Sequence, residues 1–360
     1  MKRRSFLAVS GLGAAALAAP AVAEGLPSVR WRMSAGWPKN LDTIYGSAER
    51  LAARVKELTQ GKFEIRVFPG GELVPYEQNM DAVSNGTVEC NHVLSTAFIG
   101  KNSAVAFDTG LAFGLNARQH NAWLQFGGGM DLLREMYAQY NIRNFVAGNV
   151  NVQMGGWFRK EIKDVADLDG LKLRIGGIGG MVFSKLGAIP QQIPPSDIYS
   201  ALERGTIDAA EWIGPYDDEK LGLYQVAPYY YSPGWFEGSA SITCMVNEDA
   251  WNALPELYKQ AFQVAANEET LLMSAQYDAY NPPALKELIA KGAKLKFFPR
   301  EVMEAAYVAS QEVWQELSDE NPDFAKIFPE WQAFQKEQVS WFRVAEQPLD
   351  NFTFSQVSKS

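Results

Sequence analysis

Histidine and cysteine are nearly absent from this 360-residue chain, which holds two of each: His92, His120, Cys90 and Cys244. Four such residues cannot build a Cys-rich zinc site, an iron–sulfur cluster or a haem-attachment motif. Neither histidine accompanies a serine or cysteine nucleophile motif, which argues against a catalytic triad. Basic charge is short as well. Lys and Arg number 33 against 42 Asp and Glu, for a net charge of -9. A general nucleic-acid binder needs the opposite balance to displace counterions. The glycines at 176, 177, 179 and 180 lack the G-x-G-x-x-G spacing, and no P-loop lysine follows them. What is present is 47% hydrophobic and 21% charged, enough to bury the cores of about two domains.

The N-terminus carries an address. Lys2, Arg3 and Arg4 precede an apolar stretch over residues 6–19, and Ala21-Val22-Ala23 forms a small-x-small cleavage site. Residues 1–23 therefore read as an export signal, too short to span a bilayer. Arg3-Arg4 before Ser5-Phe6-Leu7 resembles the twin-arginine type. Removing three basic residues takes the net charge from -9 to about -12. The expected mature protein is exported, soluble and acidic. In an oxidising compartment Cys90 and Cys244 either pair or remain two buried thiols.

The mature chain opens with the strand-like Val29-Arg30-Trp31-Arg32-Met33. Apolar residues at Leu41, Ile44, Ala48, Leu51, Ala52, Val55 and Leu58 then predict one face of a helix. Phe63, Ile65 and Val67 alternate with Glu64 and Arg66, the pattern of a half-buried strand. Together these make a βαβ unit. An internal echo follows: residues 80–90 read as helix end, Gly stop and short strand, and residues 199–209 repeat that pattern 119 positions later. Two similar α/β lobes are expected from it. In the second lobe, Leu171, Leu173 and Ile175 alternate with Lys172 and Arg174 before a glycine-led helix. Residues 292–297 read as a further strand. The acidic run Asp217-Asp218-Glu219 reads as a solvated turn or helix start. Helices over about 300–318 and 325–347 carry Trp331, Phe334 and Trp341 near one face, either for packing at home or for contact between subunits.

Open α/β sheets bind ligands at the carboxyl ends of their strands. Arg174 falls at one such end, on the face opposite Leu173 and Ile175, and its planar fork suits a carboxylate. Glu211-Trp212 falls at another. Gln153 and Glu237 sit in Gly-aromatic stretches that mark tight backbone near a ligand or a crossing between lobes. Glu211 and Glu237 suit either a glycosidase pair or, with the Gln153 amide, hard oxygen ligands for Na⁺ or Ca²⁺. Spacing alone leaves both open. A cofactor-bearing oxidoreductase is disfavoured by the missing Cys and His ligands.

Several longer stretches carry a resemblance. They are Gln153-Met154-Gly155-Gly156-Trp157-Phe158-Arg159, the strand Leu171-Lys172-Leu173-Arg174, the run from Gly205 through Asp208 to Trp212, Gly214-Pro215-Tyr216-Asp217-Asp218-Glu219-Lys220, and Ala227-Pro228-Tyr229-Tyr230-Tyr231-Ser232-Pro233-Gly234-Trp235. These resemble the solute-binding proteins of TRAP (tripartite ATP-independent periplasmic) transporters, in particular the 2-oxo-acid-binding subfamily, across the mature chain. The resemblance implies a two-lobed, periplasmic-binding-protein-like α/β fold (a Venus flytrap) with crossing hinge strands and a long lobe-spanning helix. Lobe 1 would hold 24–150 with about 239–275, lobe 2 would hold 151–238 with about 276–325, and a C-terminal helical segment would follow from about 326. It further implies a periplasmic receptor, not an enzyme, that delivers a 2-oxo or 2-hydroxy monocarboxylate to TRAP membrane subunits. Arg174 would pair with the carboxylate. Gln153, Glu211, the Trp212 carbonyl and Glu237 would hold a bridging Na⁺ or Ca²⁺, with Gln153, Trp212 and Glu237 also touching the ligand. Some relatives dimerise by exchanging C-terminal helices, which would employ the stripe near Trp331. One departure stands out. Where close 2-oxo-acid binders carry bulky tyrosines before Gly-Lys, this chain has Ser95-Thr96-Ala97-Phe98-Ile99-Gly100-Lys101. The expectation is a roomier pocket, with Phe98 as the ligand contact on that wall. The alternative from another class is a periplasmic hydrolase using Glu211 and Glu237.

Overall fold

Alternating apolar side chains make the first two strands, and a helix with one apolar face joins them. The computed structural model describes residues 25–357, so the export-signal reading of 1–23 lies outside the described residues. β1 (Val29–Ala35) pairs in parallel with β2 (Phe63–Phe68), Val29 opposite Phe63. The connecting helix Ile44–Leu58 buries Ile44, Ala48, Leu51 and Val55 completely. β3 (Cys90–His92) lies on the other side of β1, and β4 (Ile142–Asn149) reaches the far edge. The chain then crosses to a second sheet of β5 (Gly156–Phe158), β6 (Lys172–Arg174), β7 (Ile189–Gln191), β8 (Ala209–Ala210) and β9 (Tyr229–Ser232). It returns as β10 (Ser241–Asn247), and β11 (Lys294–Phe297) completes the second sheet. The orders are β2-β1-β3-β10-β4 and β11-β9-β5-β8-β6-β7.

The echo has the same geometry in both sheets. Helices Asn79–Ser84 and Ile198–Glu203 each stop ahead of a left-handed glycine, Gly86 at φ 74° and Gly205 at φ 70°. Val88 N–H then donates back to the Ala82 carbonyl, and Ile207 N–H to the Ala201 carbonyl. The acid of each copy accepts a backbone N–H of the neighbouring strand. Glu89 accepts the Arg32 backbone N–H on β1 at 2.7 Å, and Asp208 accepts that of Lys172 on β6 at 3.1 Å. Each unit thereby ties its strand, β3 or β8, to the parallel neighbour.

A single helix, Glu256–Ala290, runs for 35 residues, roughly 50 Å at 1.5 Å per residue. It packs on β4 of the first sheet and on helix Pro215–Leu221, which lies between β8 and β9 of the second. That short helix corrects one expectation. Asp217 and Asp218 do begin a helix, but they are buried rather than solvated. Asp217 accepts Thr43 Oγ1 at 2.6 Å and Tyr277 Oη at 2.5 Å. Asp218 accepts Trp157 Nε1 at 2.9 Å, Tyr230 Oη at 2.7 Å and the Ile213 N–H at 3.3 Å. Donors from four other segments replace the water that two adjacent carboxylates would otherwise need.

Both cysteines are buried free thiols, and Cys90 is pushed well up by burial, with Cys244 adjacent. The C-terminal aromatics divide. Trp331 is fully buried against Phe107 and Trp314, and Phe334 packs near Gly127. Trp341 stands 61% exposed on helix Pro322–Ala345.

Candidate functional site

Arg174 ends β6, and the parallel register sets it beside Ala210, the last residue of β8. Glu211 and Trp212 therefore emerge next to it, and Glu211 N–H donates to the Arg174 carbonyl at 3.0 Å. Gln153 and Glu237 arrive on the two crossings between sheets. Those crossings touch at Gly234, whose N–H donates to the Gln153 carbonyl at 3.0 Å. A Cβ at Gly234 would lie 2.6 Å from that oxygen, so only glycine allows the approach.

Gln153, Arg174, Glu211, Trp212 and Glu237 thus line one cavity of about 90 Å³. Arg174 Nη1 donates to the Glu211 carboxylate at 3.0 Å and to its backbone carbonyl at 2.7 Å, while Nε reaches the Ile193 carbonyl at 3.3 Å. The guanidinium lies 5.2 Å over the Trp212 ring. Gln153 Nε2 donates to Glu237 at 3.0 Å, and its Oε1 is buried without a partner. Burial pushes the Glu237 carboxyl up to about 8 against the opposing pull of Gln153 and Arg174. Burial also holds Glu211 well above the usual carboxylate range, Arg174 opposes it, and the Glu237 charge adds to it.

One guanidinium is too little positive charge to keep two buried carboxyls ionised, and both are pushed up accordingly. An orphaned amide oxygen beside two desolvated carboxylates is a donor set for a hard cation. Among the described residues no three His, Cys, Asp or Glu gather at one point. Any cation held here would need further oxygens from backbone or ligand.

The walls are aromatic: Trp37 follows β1, Tyr76 follows β2, Trp212 follows β8, and Phe236 lies on the crossing back to β10. Trp37 Nε1 donates to His92 Nδ1 at 2.9 Å, and His92 Nε2 faces the Ala147 carbonyl at 3.0 Å. Burial lowers His92 to about 4, so the neutral ring orients the tryptophan. Trp37 and Tyr76 were not singled out from sequence, because they sit on turns without motif or periodicity.

Phe98 is a correction. It is buried behind the wall, its ring 6.4 Å from that of Tyr76, and Thr96 and Ala97 face the cavity instead. The short 3₁₀ turn Ser95–Phe98 rotates successive side chains by a third of a turn, which sends position 98 into the core. Tyr76 stands with Thr96 and Ala97 on that wall of the cavity.

Residues 33–321 match the family model DctP, bacterial extracellular solute-binding protein, family 7. A monocarboxylate 2-oxoacid-binding periplasmic protein of Nostoc sp. is 48% identical, over 99% of this chain and 100% of its own. A TRAP transporter solute-binding protein of Bordetella bronchiseptica is 70% identical with a TM-score of 0.91, covering 92% of this chain and 99% of that one. It is a mixed-occupancy dimer with copurified calcium and picolinate in the active site versus an apo site. A TRAP periplasmic solute-binding protein of Pseudoalteromonas atlantica, with bound sodium and pyruvate, is 37% identical with a TM-score of 0.87, covering 90% and 99%. These relatives are binding proteins, and the hydrolase reading of Glu211 and Glu237 finds no support among them. The chain belongs to the bacterial extracellular solute-binding protein family 7, the solute-binding proteins of TRAP transporters.

Proposed function

We propose that this protein is the periplasmic receptor of a TRAP transporter for a small monocarboxylate carrying a donor atom on its second carbon. The observation that carries this reading is the partnerless Gln153 amide oxygen, buried between Glu237 and the Arg174–Glu211 pair. Arg174 receives the ligand carboxylate. Gln153 Oε1, the Glu211 and Glu237 carboxylates and the Trp212 carbonyl would hold Na⁺ or Ca²⁺, which supplies positive charge to bridge the ligand's carboxylate and its 2-donor. Pyruvate and picolinate, found in the two relatives above, share that donor pair: a 2-oxo oxygen in one, a ring nitrogen in the other. Trp37, Tyr76 and Phe236 exclude water and offer flat apolar surface to the rest of the ligand. A thermal-shift panel tests the reading, with pyruvate and picolinate set against propionate and benzoate in the presence of Ca²⁺. A ligand at about 1,000 times its dissociation constant stabilises by about 4 kcal/mol. Stabilisation by the first pair alone is expected, and equal stabilisation by all four contradicts the 2-donor requirement.

The partner in the membrane is the TRAP permease, which receives the released solute. We assign residues 24–150 with about 239–275 to one lobe and 151–238 with about 276–325 to the other, following the strands that each contributes. The helices beyond about 326 suit a second copy of this chain. Trp341, Val344, Leu349, Phe352 and Phe354 are each more than half exposed, and helix Gln347–Val357 buries no residue. An apolar surface of that kind favours association. A dimer by light scattering that becomes a monomer in Phe352→Asp/Phe354→Asp is the expected result, and a monomeric wild-type protein contradicts it.

A further inference from the structure

Two sequence features left over from the ligand site meet at one point. Gly177 opens the nine-residue helix Gly177–Lys185 in the left-handed region, at φ 62°. A Cβ placed there would lie 3.1 Å from Thr96 Cβ and 3.5 Å from its Cγ2, inside the usual optimum for carbon contacts. Thr96 belongs to the small-residue turn of the first lobe and is buried. Neither side has room to yield. Thr96 N–H donates to Thr109 Oγ1 at 3.3 Å, and Ser95 Oγ bonds the Val105 carbonyl at 2.7 Å, which pins the turn. On the helix, a Cβ at Gly179 would come within 2.7 Å of Phe236 Cβ, so the first turn is wedged from behind. Gly176 and Gly177 line both the ligand cavity and a second, more open cleft that continues past Ile99 and Met181.

We infer that Thr96 and Gly177 form the closure contact of the receptor, a seal between the two lobes that requires a bare backbone on one side and a short side chain on the other. The inference rests on reading the inner cavity as the ligand chamber. It also gives the small residues at 95–97 a purpose: the volume they leave belongs to the other lobe, not to the ligand. Gly177 is then a positioning residue that touches no reacting atom. Backbone strain from a side chain at positive φ is common to open and closed forms and cancels in ligand affinity, whereas the collision with Thr96 exists only when the lobes meet.

The experiment is a double-mutant cycle read by calorimetric affinity for pyruvate with Ca²⁺ present. Gly177→Ala is expected to bind about tenfold more weakly than wild type. Thr96 also lines the cavity, so Thr96→Gly is the reference corner of the cycle, and the double variant Thr96→Gly/Gly177→Ala should bind within about threefold of Thr96→Gly, because the space is restored. Gly177→Asn, whose side chain tolerates the left-handed region, should be weaker still, which separates collision from strain. Wild-type affinity in both Gly177 variants, or a double variant about tenfold weaker than Thr96→Gly, overturns the inference. Wild-type protein that binds neither pyruvate nor picolinate overturns the functional reading, and the inference with it.

Discussion

Arg174 already has a carboxylate partner in its own chain, and this shapes how it can hold another. Nη1 is committed to Glu211 and Nε to the Ile193 carbonyl, while Nη2 has no acceptor among the described residues. An incoming carboxylate meets an arm that is fixed in place, so little side-chain entropy remains to be lost on binding. Arg174→Ala should weaken binding of a 2-oxo acid at least about 100-fold while preserving the circular dichroism spectrum. Binding at wild-type strength would remove Arg174 from the site. His92 acts one step further back, through Trp37. Its folded value near 4 lies below the ordinary 6.5, so the unfolded chain takes up a proton before the folded one does. The stability held by neutral His92 is therefore complete above about pH 6.5 and is lost as pH falls towards 4, by up to about 3 kcal/mol. Urea unfolding of wild type and His92→Gln at pH 7 and 4.5 checks this. The stability gap between the two proteins should shrink on acidification, and a gap independent of pH contradicts it.

At the scale of elements, legibility followed period and repetition. The strand pair β1 and β2 and the helix between them were readable because apolar residues recur at two and at about 3.6 positions. The echo at 80–90 and 199–209 was readable because one backbone device, a helix stop and a parallel strand, needs the same residue types twice. Gly86→Ala should cost about 1 kcal/mol from the left-handed backbone alone, since the nearest atom to an added Cβ, Asn247 Nδ2, lies at an ordinary 3.8 Å. Gly205→Ala should cost about the same, because Arg159 Nη1, 2.7 Å from the added carbon, ends an exposed flexible side chain that can swing aside. Unequal costs in denaturant titrations would contradict a constraint by φ alone. Other elements were opaque for a physical reason. Asp217 and Asp218 are acidic in a row, which in one dimension looks like a wet surface. Their donors, Thr43, Tyr277, Trp157 and Tyr230, come from positions up to 174 residues away. Phe98 and Tyr76 likewise exchange roles through the rotation of one 3₁₀ turn and through a packing partner that no spacing reveals.

For the whole molecule, charge and closure oppose each other. A chain of net charge -9 repels an anion at long range, although screening confines that field to about 8 Å at physiological salt. Capture therefore depends on what happens after entry, when two aromatic walls and a guanidinium replace water around the ligand. The cavity holds two carboxyls that burial pushes up and one guanidinium, so both ionise only beside added positive charge, and this ties the binding of an anion to the presence of a cation. That dependence is the centre of the account. The most direct measurement is isothermal titration of pyruvate into the chelator-treated mature protein, repeated after Ca²⁺ or Na⁺ is restored. Binding that disappears with the cation and returns with it, by about tenfold or more in affinity, is the predicted result. Pyruvate affinity unchanged by removal of every metal ion would contradict it, and would leave Gln153, Glu211 and Glu237 without the role assigned to them.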